Sequence, residues 1–460
     1  MYLNRTIDSH LLEWKNDSNH KPLLLRGARQ VGKSCAVKHL GKTFDNYIEV
    51  NFEKRPDMKE IFAQVHNVRD LADNLGMIYN TPVVAGKTLL FLDEIQASPD
   101  AIKSLWSFKE DFPELHVVAA GSLLEFTLKE MPSYGVGRIH SLFMYPFSFD
   151  EFLMAEGKSA WIKAKQCANS QKPLLTPLYN DLVRHYRTFL MVGGMPASVA
   201  AWVSTHDYRK CQDELDDIQL SYYDDFAKYA KKVEPILLRN TLQSVIMQTG
   251  GKFTYSKVEG GYRADAVKNA LSLLCDAGII KRVCHTAANG LPLGAETNNK
   301  FQKYIYLDSG LLLRILDMDM GGARQLTEMV LTGAAADLVN KGGLAEMMLG
   351  WELIKCNSPR SQHDLYYWEN TSDGTLSEVD YIIARDLRVL PIECKAGTSG
   401  KMKSLYLFMR QKHITDAVRC SLENFTLIEN RDKQDSSDTI RRVEILPLFA
   451  VSNLFCKLDN

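Results

Sequence analysis

A chain of 460 residues is too long for a single hydrophobic core and should divide into domains of about 150 residues each. Its composition is 45% hydrophobic, 24% charged and 10% aromatic, which is globular and excludes disordered, collagen-like and coiled-coil classes. With 55 Lys and Arg against 56 Asp and Glu, a net charge of -1 gives no global drive onto nucleic acid or anionic lipid, so any such binding needs a local patch.

No apolar run reaches the about 18 residues that span a bilayer, so no membrane partner is expected. The N-terminal MYLNRTIDSHLLEWK has no apolar h-region, which makes a cytoplasmic location the expectation. The nine cysteines form no CxxC pair, so neither a disulfide framework nor a zinc site is indicated.

Up to about residue 155, short apolar runs alternate with helical patterns. The runs are Pro22-Leu25, Tyr47-Phe52, Thr88-Leu92, His116-Ala120 and Ser141-Tyr145. That rhythm predicts an α/β domain with a buried, mostly parallel sheet. After the first run comes Gly27-Ala28-Arg29-Gln30-Val31-Gly32-Lys33-Ser34, which fits GxxxxGK[ST] in the order strand, loop, helix. Glycines let backbone N–H groups converge on phosphates, and a helix N-terminus adds favourable partial charge. Lys33 is placed to reach the β and γ phosphates of ATP, and the Ser34 hydroxyl to ligate Mg²⁺. Such a match arises by chance roughly once or twice in a hundred chains of this length, and its context makes chance rarer.

The third run ends in Asp93-Glu94. Asp93 can join the Mg²⁺ shell while Glu94 polarises the attacking water, a division of labour that hydrolysis needs and nucleotide storage does not. The fourth run ends at Gly121-Ser122, which brings a small polar side chain to the same end of the sheet.

Residues 156–250 read as a helical lid region. Within 251–320, Val267, Ala270, Leu271, Leu274 and Cys275 recur at one helical face, followed by a strand, a Gly/Asn/Pro-rich loop and a second strand. This order is compatible with a winged helix. Arg263, Lys268, Lys281 and Arg282 could contact DNA phosphates, or the module could pack one domain on another. From 321 to 460 a helix bearing Glu346 precedes successive strands. In these, Glu378-Val379-Asp380 and Ile392-Glu393-Cys394-Lys395 read as two arms of a hairpin. The period of two puts Glu393 and Lys395 on one face, where Asp380 and Glu393 could share a Mg²⁺ while Lys395 positions water or stabilises phosphate charge.

The segments LLLRGARQVGKS, TLLFLDEIQ, HVVAAGSLLEF, GVGRIHSLFMYPFSFDEF and FLMVGGMPASV together resemble the AAA-type P-loop ATPases of bacteria and archaea that carry a winged helix and a C-terminal nuclease-like domain. The resemblance implies an AAA-type parallel sheet with a helical lid, a winged helix and a PD-(D/E)xK, restriction-endonuclease-like α/β domain. It makes Ser122 the sensor residue and Arg138 the recurrent arginine before the last sheet strand, acting in cis or on a neighbouring subunit of an oligomer. The Asp, then Glu-x-Lys pattern makes Glu346, Asp380 and Glu393 metal ligands and Lys395 a catalytic residue. Two readings follow. One is an ATPase acting on DNA through a metal-dependent nuclease-like domain. The other is an ATP-dependent regulatory or interaction switch whose nuclease-like domain does not cut.

Overall fold

A computed structural model of the chain describes all but residues 1, 123, 131–136, 230–231, 320–340, 373–374, 398–401, 432–438 and 456–460. It divides into two compact units. The first comprises residues 1–147 with the short segments 276–278 and 358–362, and the second the remainder.

In the first unit, β1 (Leu23–Arg26), β2 (Asn46–Asn51), β3 (Thr88–Asp93), β4 (His116–Ala120) and β5 (His140–Phe143) form one sheet in the order β2-β3-β4-β1-β5. Every pair in it is parallel. All residues of β3 and β4 are buried, so these strands read as unbroken apolar runs, as strands covered on both faces must. Ile48, Leu90, Leu92 and Val117 pack with Leu71, Leu75, Ile102, Leu105 and Phe108, which lie on the helices α1 (Val68–Ile78) and α2 (Pro99–Asp111). Truncating one of these side chains, as in Leu92→Ala, typically costs about 2–5 kcal/mol.

Register aligns the strand ends. Leu25 pairs with Ala120 and Ala120 with Asp93, so β1, β3 and β4 reach one level together. The residues just beyond, Gly27, Glu94 and Ser122, emerge from the same carboxyl edge of the sheet. That edge is where open α/β sheets place ligands.

The second unit starts with helices, including α3 (Phe149–Ala155), α4 (Thr176–Val192), α5 (Tyr208–Phe226) and α6 (Pro235–Met247). α3 opens with a full capping box between Ser148 and Glu151, which satisfies backbone donors at both ends of the motif. α7 (Ala264–Asp276), β6 (Ile280–Thr286) and β7 (Thr297–Tyr306) follow in the expected order. Their hairpin is the end of a larger sheet: β6 pairs antiparallel with β7 and parallel with β8 (Leu365–Ser372). Through β9 (Thr375–Arg385), β10 (Arg388–Cys394), β11 (Asp416–Ser421), β12 (Thr426–Arg431) and β13 (Ile440–Pro447), an eight-stranded sheet runs β12-β13-β11-β10-β9-β8-β6-β7. Helix α8 (Lys341–Lys355) carries Glu346. Helix α9 (Lys403–Gln411) buries Leu405, Phe408 and Met409 against Val379, Ile382 and Val443.

Candidate functional site

The P-loop backbone demands glycine at two positions. Gly27 has φ 142 and a Cβ there would stand 2.1 Å from the Met144 carbonyl oxygen, while Gly32 has φ 99. Side-chain-bearing residues rarely adopt such φ values. Ala28, Arg29, Gln30 and Val31 span the arch between them, and the helix that follows, Lys33–Gly41, opens with Lys33 and Ser34. Lys33 is buried, and its Nζ donates to the carbonyls of Gly27 at 2.8 Å and Ala28 at 2.7 Å.

Ser34 Oγ donates to Asp93 at 3.1 and 3.2 Å, and Asn51 Nδ2 donates to Asp93 Oδ2 at 3.0 Å. Burial, then the neighbouring Glu94, pushes the Asp93 carboxyl above its ordinary range. A hydroxyl and a carboxylate side by side fit Mg²⁺, which takes few protein oxygens and completes its shell with phosphates and water. Burial pushes the Lys33 ammonium down to about 8, against the raising influence of Glu94 and Asp93. Phosphate charge must reverse that shift, so ATP binding should take up protons where the free lysine is partly neutral. The expected uptake is larger at pH 8.5 than at pH 7. Calorimetry in buffers of different ionisation enthalpy measures it, and no difference between the two pH values would remove Lys33 as the phosphate-contacting cation.

Glu94 leaves β3 with φ 51, a left-handed conformation uncommon for a side-chain-bearing residue and found disproportionately at functional sites. Its Oε2 accepts from Gln96 Nε2 at 2.7 Å, from Ser122 Oγ at 3.3 Å and from the Ser122 N–H at 3.4 Å. Thus Lys33, Ser34, Asp93, Glu94 and Ser122 lie together at this edge of the sheet. Arg138 stands apart from this group. Its guanidinium pairs with Glu110 at 2.5 Å and lies 5.3 Å from the centre of the Trp106 ring, with about half of each charged side chain exposed.

In the second unit, Glu346, Glu378 and Asp380 have carboxylate oxygens within 4.8 Å of one another. Glu393 lies outside that group, although Asp380 is close enough to raise its carboxyl further. Glu378 joins the group because it is two residues from Asp380 on β9 and so shares its face. Lys303, from β7, donates to Glu346 Oε1 at 2.8 Å and Glu378 Oε1 at 2.5 Å and is only 1% exposed. Asp380 Oδ2 accepts from the Cys394 N–H at 2.6 Å, and Lys395 Nζ reaches Glu393 Oε1 at 2.5 Å. The other Glu393 oxygen is buried without a hydrogen-bond partner among the described residues. Burial pushes the Glu346, Asp380 and Glu393 carboxyls up; Lys303 opposes the rise at Glu346 and Asp380, and Lys395 opposes it at Glu393. The Lys303 ammonium sits between Glu346 and Glu378 as their cation, so a divalent ion in this group would have to displace it.

Of the four cations expected to meet DNA, Arg263, Lys268 and Arg282 are exposed and Lys281 is partly buried. Lys268 pairs with Asp265 at 3.2 Å on the solvent face of α7, which buries Val267, Ala270, Leu271 and Leu274, and Arg263 precedes that helix. Lys281 and Arg282 lie on β6, inside the sheet between β7 and β8, with Lys281 3.8 Å from Asp364.

Residues 19–153 match the model of an AAA domain. Residues 183–321 and 341–449 match two domains of unknown function, DUF8612 and DUF4143. No curated protein matches the chain. Among solved structures, the Walker-type ATPase of Pyrococcus abyssi is similar at 14% identity, over 68% of this chain and 96% of that one, with a TM-score of 0.43. The Orc1 protein of Aeropyrum pernix, solved in complex with DNA, is similar at 12% identity, over 72% of this chain and 93% of that one, with a TM-score of 0.29. The stretch that matches the AAA domain carries the five-stranded parallel sheet and the loop Gly27 to Ser34. No described helix is long and apolar enough to cross a membrane.

Proposed function

We propose that this chain binds and hydrolyses ATP with Mg²⁺ and acts as an AAA-type switch whose C-terminal domain engages a partner without cutting it. The observation that carries the ATPase reading is the convergence of Ser34, Asp93, Glu94 and Ser122 beside Lys33 at the aligned ends of β1, β3 and β4. Lys33 and the loop amides hold the phosphates, and Ser34 and Asp93 would hold Mg²⁺, which supplies charge neutralisation at the β and γ phosphates when bound. Glu94 takes the proton of the attacking water. Ser122 supports it through two hydrogen bonds to Oε2.

What favours the non-cutting reading is the pairing of the nuclease-like acids with lysines of their own unit: Lys303 with Glu346 and Glu378, and Lys395 with Glu393. The second reading, a metal-dependent nuclease acting on DNA, rests on the convergence of Glu346, Glu378 and Asp380 and requires Lys303 to yield its place. One assay separates them: the purified chain is given ATP and Mg²⁺ or Mn²⁺, with and without single- and double-stranded DNA, while phosphate release and DNA length are followed. ATP hydrolysis with intact DNA is expected. Cleavage that disappears in Asp380→Asn would put the nuclease reading first.

A further inference from the structure

The short turn after β3 holds a second functional group beside Glu94. Residues Ile95–Ala97 form a single 3-10 turn, anchored by the fully buried Ile95. It points the Gln96 carboxamide back at the carboxylate, with Nε2 2.7 Å from Glu94 Oε2. Amide nitrogen and oxygen are assigned by their partners, and a carboxylate oxygen can only accept, so the N–H side must face Glu94. The opposite side of the amide fills a slot that exists because residue 121 is glycine. A Cβ on Gly121 would lie 1.9 Å from Gln96 Oε1. That oxygen is buried and has no hydrogen-bond partner among the described residues. A buried, unpartnered amide oxygen is costly, and nothing in the packing of the turn accounts for it.

These contacts fall unevenly on Glu94. Oε2 takes three donors, one from Gln96 and two from Ser122, whereas no donor among the described residues reaches Oε1. A carboxylate held this way has one oxygen fixed and the other available as a base. We propose that Gln96 is a positioning residue for ATP hydrolysis: it clasps Glu94 by Oε2, keeps Oε1 turned outward to take the proton of the attacking water, and depends on the space left by Gly121. A base fixed in orientation loses little freedom at the moment of reaction, which is the advantage that positioning confers. The inference rests on the ATPase reading above.

Three variants of the full chain test it, each measured for ATP affinity, kcat and KM across pH. Gln96→Ala releases the carboxylate and should lower kcat by about tenfold or more, a fraction of the about 10²- to 10⁴-fold that a general base supplies, with KM for ATP unchanged. Gly121→Ala, at a position without a left-handed φ, should displace the amide and copy that loss. Gln96→Glu sets a second carboxylate within hydrogen-bond reach of Glu94, so the pair shares a proton at neutral pH. Its kcat should be low at pH 7 and recover as pH rises, moving the acidic limb of the profile to higher pH. A merely structural glutamine would lower thermal stability in all three variants without moving that limb. Wild-type hydrolysis with kcat and pH profile unchanged in Gln96→Ala and Gln96→Glu overturns the proposal alone. A wild-type chain that binds ATP yet never hydrolyses it overturns the ATPase reading together with the proposal.

Discussion

Lys33→Ala is expected to abolish ATP binding at nucleotide concentrations that saturate the wild type, whereas Glu94→Gln is expected to bind ATP normally and hydrolyse it about 10²- to 10⁴-fold more slowly. The two differ because of what each side chain touches. Lys33 is buried in the P-loop with its ammonium on the Gly27 and Ala28 carbonyls, so its removal takes a buried cation out of the loop. Glu94 lies at the end of β3, held by Gln96 and Ser122, and touches none of the loop's phosphate-binding groups by hydrogen bond. Glutamine there keeps the shape and loses the basicity. A fluorescent-nucleotide titration reads the first effect, and single-turnover phosphate release reads the second. Unchanged binding in the lysine variant together with unchanged turnover in the glutamine variant would remove the catalytic assignment.

The P-loop site was legible in the sequence because its chemistry is local. Gly27 to Ser34 are contiguous, the strand before them is apolar, and Asp93-Glu94 and Ser122 each follow a run that burial on both sheet faces forces to be apolar. Register then brings three separate strand ends to one level, an outcome that a parallel sheet makes foreseeable. Gln96 was not legible, since its role depends on the slot at Gly121, and no spacing rule announces a missing Cβ on another strand. The C-terminal acids were legible only within a strand. Alternation along β9 places Glu378 with Asp380, a signal the Glu-x-Lys pattern drew attention away from. Lys303 lies 43 residues from Glu346 and 75 from Glu378 in sequence; it reaches them only because β6 joins the hairpin to β8. The same pairing makes the strand of Lys281 and Arg282 part of the large sheet, with Arg282 still exposed on it. Long-range strand order is what local pattern cannot carry.

Lys303→Met should destabilise the second unit by about 3–5 kcal/mol, the usual consequence of removing one partner from a buried ion pair, and should open the three acids to a divalent cation. Lys303 is 1% exposed, with carboxylate oxygens of Glu346 and Glu378 at 2.8 and 2.5 Å and the Tyr367 ring centre 5.0 Å away. Burial works against its charge, yet Glu346, Glu378 and Asp380 outweigh it and hold the ammonium above the ordinary lysine range. Methionine keeps much of the volume and none of the charge, leaving three acids whose oxygens lie within 4.8 Å of one another. Such a group either takes up protons or binds a cation. Thermal unfolding without nucleotide, with and without Mn²⁺, reads both effects. The variant should melt lower than wild type, and Mn²⁺ should return part of the loss, because a ligand at about 100 times its Kd adds about 2.7 kcal/mol to the folded state. Adding Asp380→Asn to Lys303→Met should cancel that recovery. Equal Mn²⁺ stabilisation of the wild type, lost on Asp380→Asn, would mean that the lysine yields readily to metal, and the nuclease reading would then regain the C-terminal domain.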